Sequence, residues 1–325
     1  MNGICVAGSI VADLYYEIDS YPAPGMLTCI QPAGGAAGGI GNLILDLAQM
    51  DPALPVRVST LVGEDDSGQM LRDSLSRFPN IDLSNMTVKG QSSMDLVMEA
   101  RDTHQRTFFY LDAASKIYDE TYVDWEKIQS KIFHLEYLLL MAAMDAPDAV
   151  YGTHSARCLC EAKRRGMITS VDLVSTEVER APRLVHPALK YCDILCINEV
   201  EAEGVTGIPV TDDASALEAL LRLRALGVAC WAVIHYPKKA WGIDCRTGEI
   251  FSCPCLRLPE GYIKGTTGAG DAFCAGILYG FYQDYPLEQA LRFACGSAAC
   301  SLSGENGTCG MRPAAQIWKE YETYA

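Results

Sequence analysis

Apolar positions along the chain follow two rhythms. Continuous apolar runs at 4–10, Val56–Val62, 137–141, Ile168–Leu173, Ile194–Asn198 and 230–235 are bounded by polar or glycine-containing turns and have the length of buried strands. Stretches at 43–50, 149–165 and 214–226 instead carry apolar residues at helical spacing. From residue 132 onward the two kinds alternate, as they do in βαβ units that build a parallel sheet with helices on both faces. Val56–Val62 runs into Gly63-Glu64-Asp65-Asp66-Ser67-Gly68, a turn into a helix for which Ser67 is a suitable cap. Two regions break the alternation. Residues 15–30 alternate apolar and polar around Pro22, Pro24 and Gly25, and 94–98 with 106–110 have the same character, which predicts strands of a separate twisted flap. Between them, Ala33 to Asn42 is dense in glycine and reads as a turn made for close backbone approach, to another element or to a ligand. No internal repeat or low-complexity linker divides the chain, so one α/β domain spanning 1–325 is expected, with the flap inserted at about 14–32 and 92–112.

Composition narrows function more than fold. With 49% hydrophobic and 21% charged residues the chain is an ordinary globular one. Its formal net charge of −15 argues against a duplex nucleic-acid partner, which requires clustered Lys and Arg. No apolar run approaches the ~18 residues of a membrane span. The 14 cysteines are scattered through apolar runs, and the chain begins Met-Asn-Gly-Ile-Cys without a charged leader, so a reducing cytoplasm is the expected compartment. Cys158-Leu159-Cys160 and Cys253-Pro254-Cys255 lack the two-residue spacing of zinc knuckles, and no metal-thiolate site is predicted from them.

The chemistry concentrates at Lys264-Gly-Thr-Thr-Gly-Ala-Gly-Asp-Ala-Phe273, where a small-residue turn enters an apolar helix. Gly268, Ala269 and Gly270 leave backbone amides free to face an anion at a helix N-terminus, where the helix dipole adds to them. Asp271 follows at once, placed to take a proton from a hydroxyl beside a cradled phosphate. Read alone, it is equally a helix-start acid after a tight turn. Asn198 and Glu201 end a buried strand, where ligands bind in open α/β sheets, and their spacing also suits a helix capping box. Asp172 ends another strand, and Asp13 follows the first one. Gly-x-x-x-x-Gly-Lys, Gly-x-Gly-x-x-Gly after the first strand, Gly-x-Ser-x-Gly and His-Glu-x-x-His are all absent, and the five histidines are dispersed.

The run Thr266-Thr267-Gly268-Ala269-Gly270-Asp271-Ala272-Phe273, with Gly276 and Gly280 on one face of the helix after it, resembles the C-terminal signature of the ribokinase-like (PfkB-type) carbohydrate kinases. The resemblance implies a ribokinase-like, Rossmann-like α/β fold with a small β-sheet lid over the sugar that often serves as a homodimer interface. It also implies transfer of the ATP γ-phosphoryl group to a sugar hydroxyl, with Asp271 as base and the amides of Gly268, Ala269 and Gly270 stabilising the moving group. ATP would meet Asn198, Thr266, Thr267, Gly268 and Gly270. Mg2+ would be ordered through Asn198 and Glu201, and the acceptor would meet Asp13, Gly38, Gly39 and Asn42. Ala37-Gly38 stands in place of the family's nearest Gly-Gly pair and Ile40 in place of a small residue. Gly265 replaces the aspartate tied to monovalent-cation binding, which puts potassium activation in doubt. His235 and Pro237 occupy a common Thr-x-Gly turn near the nucleotide. A nucleoside kinase of the same fold and a sugar-binding protein without turnover are the alternatives.

Overall fold

Every residue of Ile4–Gly8 (β1) is buried, and its side chains alternate between two apolar cores: Ile4 and Val6 enter one, Cys5 and Ala7 the other. That double burial is what a continuous apolar run predicts for a strand covered on both faces. The computed structural model describes residues 1–325 except His104 and Glu177, so the one position of the 92–112 stretch left outside the described residues is His104. After β1 come β2 (Ile10–Ile18), β3 (Gln31–Gly39), α1 (Ile40–Met50), β4 (Val56–Val62), α2 (Asp66–Ser76), β5 (Ile81–Val88), β6 (Met94–Ala100), β7 (Arg106–Leu111) and the short α3 (Ala113–Ile117). The second half runs β8 (Ile132–Leu138), a hairpin of β9 (Pro147–Asp148) and β10 (Gly152–Thr153), α4 (His154–Arg164), β11 (Ile168–Leu173), α5 (Ala181–Leu189), β12 (Ile194–Asn198), α6 (Glu199–Thr206), α7 (Asp213–Leu226), β13 (Trp231–Tyr236), β14 (Lys239–Asp244), β15 (Ile250–Pro254), α8 (Ala269–Tyr282), α9 (Leu287–Leu302) and α10 (Ala314–Tyr324).

The main sheet has nine strands in the order β15-β14-β13-β12-β11-β8-β1-β4-β5, parallel from β13 through β5, with β14 antiparallel to both neighbours. One core packs residues of α4 to α7 on one face, and the other packs α1, α2, α8, α9 and α10 on the opposite face. The chain winds from β1 toward β5 on one side and, after β8, toward β13 on the other. The order therefore reverses between β1 and β8, and the crevice at their carboxyl ends is the ligand position that this topology creates. On the α8–α9 contact, a Cβ on Gly276 would stand 2.6 Å from the Ala294 Cα, and one on Gly280 would stand 2.8 Å from the Ala290 Cβ. The small face of α8 is thus what lets α9 approach. Among the described residues no helix is long and apolar enough to cross a membrane.

A separate four-stranded sheet, ordered β3-β2-β6-β7, forms the lid. Its strands differ from the sequence reading. The lid begins at Ile10 and not near 14, residues 19–30 form no strand, and the glycine-dense stretch expected as a turn is itself strand β3, paired antiparallel to β2. Prolines lack the donor a ladder needs, which keeps the 22–24 segment out of the sheet. The glycines contribute only backbone, and the ladder with β2 pairs the side of it that faces the sheet. Two further readings shift. The cap of α2 is Asp65, whose Oδ1 accepts from the Gly68 amide at 2.8 Å, because the chain turns two residues before Ser67. The apolar run at 137–141 is only the end of β8; the body of that strand carries buried His134 and Glu136, which a hydrophobic pattern passes over.

Candidate active site

Gly268 caps α8 in the left-handed region (φ 80°), and a Cβ there would come within 2.5 Å of the Gly307 Cα, so only glycine closes this turn. Asp271, the third residue of α8, is held from two sides. Asn42 Nδ2 in α1 donates to Oδ2 at 2.8 Å, and the Tyr137 hydroxyl at the end of β8 donates to Oδ1. Burial raises the Asp271 carboxyl above its ordinary range, and these two donors oppose that shift. A carboxylate fixed by two donors beside amides that the first helical turn leaves without intrahelical acceptors can accept a proton next to a stabilised anion.

The predicted acceptor-side residues gather here. Asp13 in β2 is 8% exposed, and a Cβ on Gly38 would lie 2.4 Å from both of its carboxyl oxygens, so β3 passes against the carboxylate only because it has no side chain there. Burial, then the charges of Asp95 and Asp271, push Asp13 up to about 7. Gly39 (φ 59°) turns the chain from β3 into α1, which aims Asn42 at Asp271. Thr267 meets the lid through Arg106, whose Nη1 is 3.4 Å from the Thr267 Oγ1 while its Nε donates to Glu99 at 2.7 Å.

Asn198 and Glu201 form a complete capping box at the start of α6. Asn198 Oδ1 accepts from the Val200 and Glu201 amides, each at 2.9 Å, and Glu201 Oε2 accepts from the Asn198 amide at 2.9 Å. Ser175 Oγ also donates to Glu201 Oε1 at 2.8 Å. Burial still leads and lifts Glu201 to about 7, with the Asp271 charge contributing. Asp172, at the end of β11, is raised by burial and then by Glu201, Glu136 and Asp271. Asn198, Thr266, Ala269 and Gly270 line one wall of a cavity of about 710 Å³, with His235, Pro237 and Phe273 among its other walls. That volume lies within the range of small-molecule sites. Burial lowers His235 to about 4, so it is a neutral wall tilted against Phe273, with ring centres 5.1 Å apart. The Gly265 position is crowded: a Cβ would lie 3.0 Å from both the Gly304 and Glu305 carbonyl oxygens.

Four side chains of this centre escaped the sequence reading: Tyr137, His134, Glu136 and Asp46. His134 Nε2 pairs with Glu136 Oε2 at 2.7 Å and its Nδ1 with Ser170 at 3.0 Å; burial lowers the ring to about 3 and raises the carboxyl, so the pair is neutral. Asp46 follows Asn42 by four residues in α1, a spacing visible in sequence, and both its carboxyl oxygens are buried without partners.

Fold and site together define a doubly wound α/β protein with a small-sheet lid, a glycine-capped helix terminus and a buried acid in the first turn behind it. A family model described as pfkB family carbohydrate kinase matches residues 1–313, and the chain belongs to that family. It is 22% identical to a ribokinase of Haemophilus influenzae, over 99% of this chain and 99% of that protein. Among solved structures, it is similar to Arabidopsis thaliana ribokinase complexed with ribose and ATP (TM-score 0.81, 22% identity, 99% of each chain). It is also similar to a Methanocaldococcus jannaschii nucleoside kinase (TM-score 0.77, 15% identity, covering 100% of this chain and 99% of the other). These likenesses show a shared ribokinase fold.

Proposed function

We propose that the protein is an ATP-dependent kinase that phosphorylates a hydroxyl of a small carbohydrate, with Asp271 as the base. The observation that carries this reading is the placement of Asp271 directly behind the Gly268 turn, held by Asn42 and Tyr137. The acceptor hydroxyl gives its proton to the Asp271 carboxylate as its oxygen bonds to the γ-phosphorus, and the bond from that phosphorus to the leaving ADP oxygen breaks. The amides of Gly268, Ala269 and Gly270 meet the charge that spreads over the phosphoryl oxygens. ATP enters the cavity that ends at Thr266, Ala269 and Gly270, with Asn198 and Thr267 beside its phosphates.

Asp13, Gly38, Gly39 and Asn42 hold the acceptor under the lid. A buried carboxyl oxygen without a partner among the described residues, Asp95 Oδ1 next to Asp13 in register, supports an acceptor rich in hydroxyls. Among the described residues no three His, Cys, Asp or Glu side chains form a metal cage. Kinases hold Mg2+ through one or two carboxylates plus substrate phosphates, and the hard oxygens of Glu201 and Asn198, with Asp172 close enough to feel the Glu201 charge, fit that mode. When bound, Mg2+ would neutralise phosphate charge. Closing the lid, with Arg106 reaching Thr267, excludes water from the transfer. The lid also exposes Phe108 (53%), Phe109 (54%) and Leu27 (88%), an apolar surface that supports a lid-to-lid homodimer. An ADP-release screen over pentoses, ketohexoses, sugar acids and nucleosides tests the reading: turnover with a sugar upholds it, turnover with nucleosides alone makes this a nucleoside kinase, and ATP or sugar binding without turnover makes it a sensor.

A further inference from the structure

Cys253 and Cys255 do not stand alone in the fold. They lie two residues apart where β15 ends, and α9, packed against that strand, brings Cys295 close enough that the three thiols perturb one another's ionisation. Cys253 and Cys295 are 3% and 5% exposed, while Cys255 is half-buried, with its Sγ 3.4 Å from the Tyr236 carbonyl oxygen. Cys255 and Cys295 both line the 710 Å³ cavity, alongside Leu256, Ala298 and Leu302. The cluster therefore has a half-buried thiol, a second thiol in the wall of the same cavity, and a pocket wide enough to admit a small molecule to both.

We propose that Cys255 and Cys295 form a thiol–disulfide exchange site in the wall of this cavity, which takes low-molecular-weight disulfides. The Cys255 thiolate attacks one sulfur of the disulfide RSSR; the S–S bond breaks, RS⁻ leaves and takes up the thiol proton, and a mixed disulfide remains on Cys255. Cys295 then attacks the Cys255 sulfur, releases the second RSH and leaves a Cys255–Cys295 disulfide. The protein dithiol loses two electrons and two protons, and RSSR gains them. The acid–base state of the cluster fits these roles: the hydrogen bond from Cys295 lowers Cys255, and lowers Cys253 to about 7, while Cys295 itself is raised and keeps its proton. Burial raises Cys5, Cys158 and Cys192, and the interaction with Cys196 followed by burial raises Cys274, so none of them competes with Cys255 for the first attack on a free disulfide. The mixed disulfide occupies the space in which ATP is placed above, so exchange and nucleotide exclude one another; this consequence rests on the kinase reading, whereas the exchange itself does not.

The test uses the full chain with exposed Cys29 and Cys309 replaced by serine, first reduced, then treated with oxidised glutathione and mapped by peptide mass. The expected product is a Cys255–Cys295 cross-linked peptide that dithiothreitol reverses. In Cys295→Ser, glutathione should remain on Cys255; in Cys255→Ser, Cys295 should stay unmodified. Cross-linking should slow in saturating ATP, and the cross-linked protein should lose nucleotide binding until it is reduced. Modification of Cys274 at the rate of Cys255, or a stable Cys255 adduct with Cys295 intact, would overturn the exchange site, and neither result needs a variant at the cluster. Cross-linking unaffected by ATP in a protein that still turns ATP over would overturn its location in the nucleotide cavity. If the protein binds no ATP at all, the kinase reading fails and the peptide map still decides the exchange.

Discussion

Asp271→Asn isolates proton acceptance from everything else this residue does. The amide has the same shape: its oxygen can still accept from Asn42 Nδ2, and its NH2 can donate to the Tyr137 hydroxyl, which then turns from donor to acceptor. Burial already disfavours the charged carboxylate, so a neutral amide should leave the denaturation midpoint unchanged or raised. What disappears is the base. A positioned general base contributes about 10²–10⁴-fold, equivalent to about 2.7–5.4 kcal/mol of barrier, and kcat should fall by that factor. The KM for ATP should stay, because the Gly268–Gly270 amides and the cavity walls are untouched. The assay is coupled ADP release with the acceptor found by the screen, alongside a thermal melt of each protein. A folded Asp271→Asn variant with near-full kcat would refute the assignment; one that melts early would show that the carboxylate supports the fold instead.

Three further outcomes follow from the same geometry. Folded Asp13 holds its proton to about 7 against an ordinary 3.8, so its contribution to stability is fully present below the lower value and lost as pH rises through the upper one. Its hydroxyl-accepting carboxylate appears over that same upper limb, so the KM for the acceptor should fall as pH rises through 7, and Asp13→Asn should abolish that limb while leaving the KM for ATP unchanged. Rates in sodium, potassium and tetramethylammonium salts should agree, because Gly265 supplies no carboxylate to hold the ion; a large stimulation specific to potassium refutes this. Replacing exposed Phe108 and Phe109 by Asp should convert a dimer to monomers in analytical ultracentrifugation, and an unchanged sedimentation coefficient would remove the lid from the interface.

The sequence was most legible where one physical demand acts at a time. The largely buried strands Val56–Val62, Ile168–Leu173 and Ile194–Asn198 match their apolar runs residue for residue, because burial governs their bodies and the site residues Asp172 and Asn198 stand only at their ends. The glycine turn and Asp271 were legible for a similar reason: no ordinary core requires that spacing at a helix start. Legibility failed where two demands overlap. Strand β8 carries site residues inside a sheet, so its apolar signal retreats to its last residues and hides Tyr137, His134 and Glu136. Strand β3 must pair with β2 and press on Asp13 at once, and the glycine that allows the second removes the side-chain pattern that would announce the first. Asn198-x-x-Glu201 carried two meanings in sequence, and the capping box is fully formed, which leaves the metal role to be argued from charge alone.

Charge and donor count also divide the acids of this centre. Asp46, Glu136, Asp172, Glu201 and Asp271 all feel burial as their main perturbation, and the Asp271 charge raises each of the others. They cannot all ionise in one low-dielectric centre, so the negative charge settles where the anion is best solvated by protein. Asp46 has no donor to either oxygen, and Glu136 Oε1 has none. Asp172 has the Leu173 amide at 2.7 Å. Asp271 has Asn42 and Tyr137, and Glu201 has the Asn198 amide, the Asn198 side chain and Ser175. Asp271 and Glu201, the residues proposed for proton acceptance and for magnesium, thus have the most donors to an anion among these five. Burial raises Asp46 and Glu136, and with fewer donors they are the more strongly disfavoured as anions. Environments that push neighbouring carboxyls apart in this way separate the groups that work as anions from those that serve as uncharged walls.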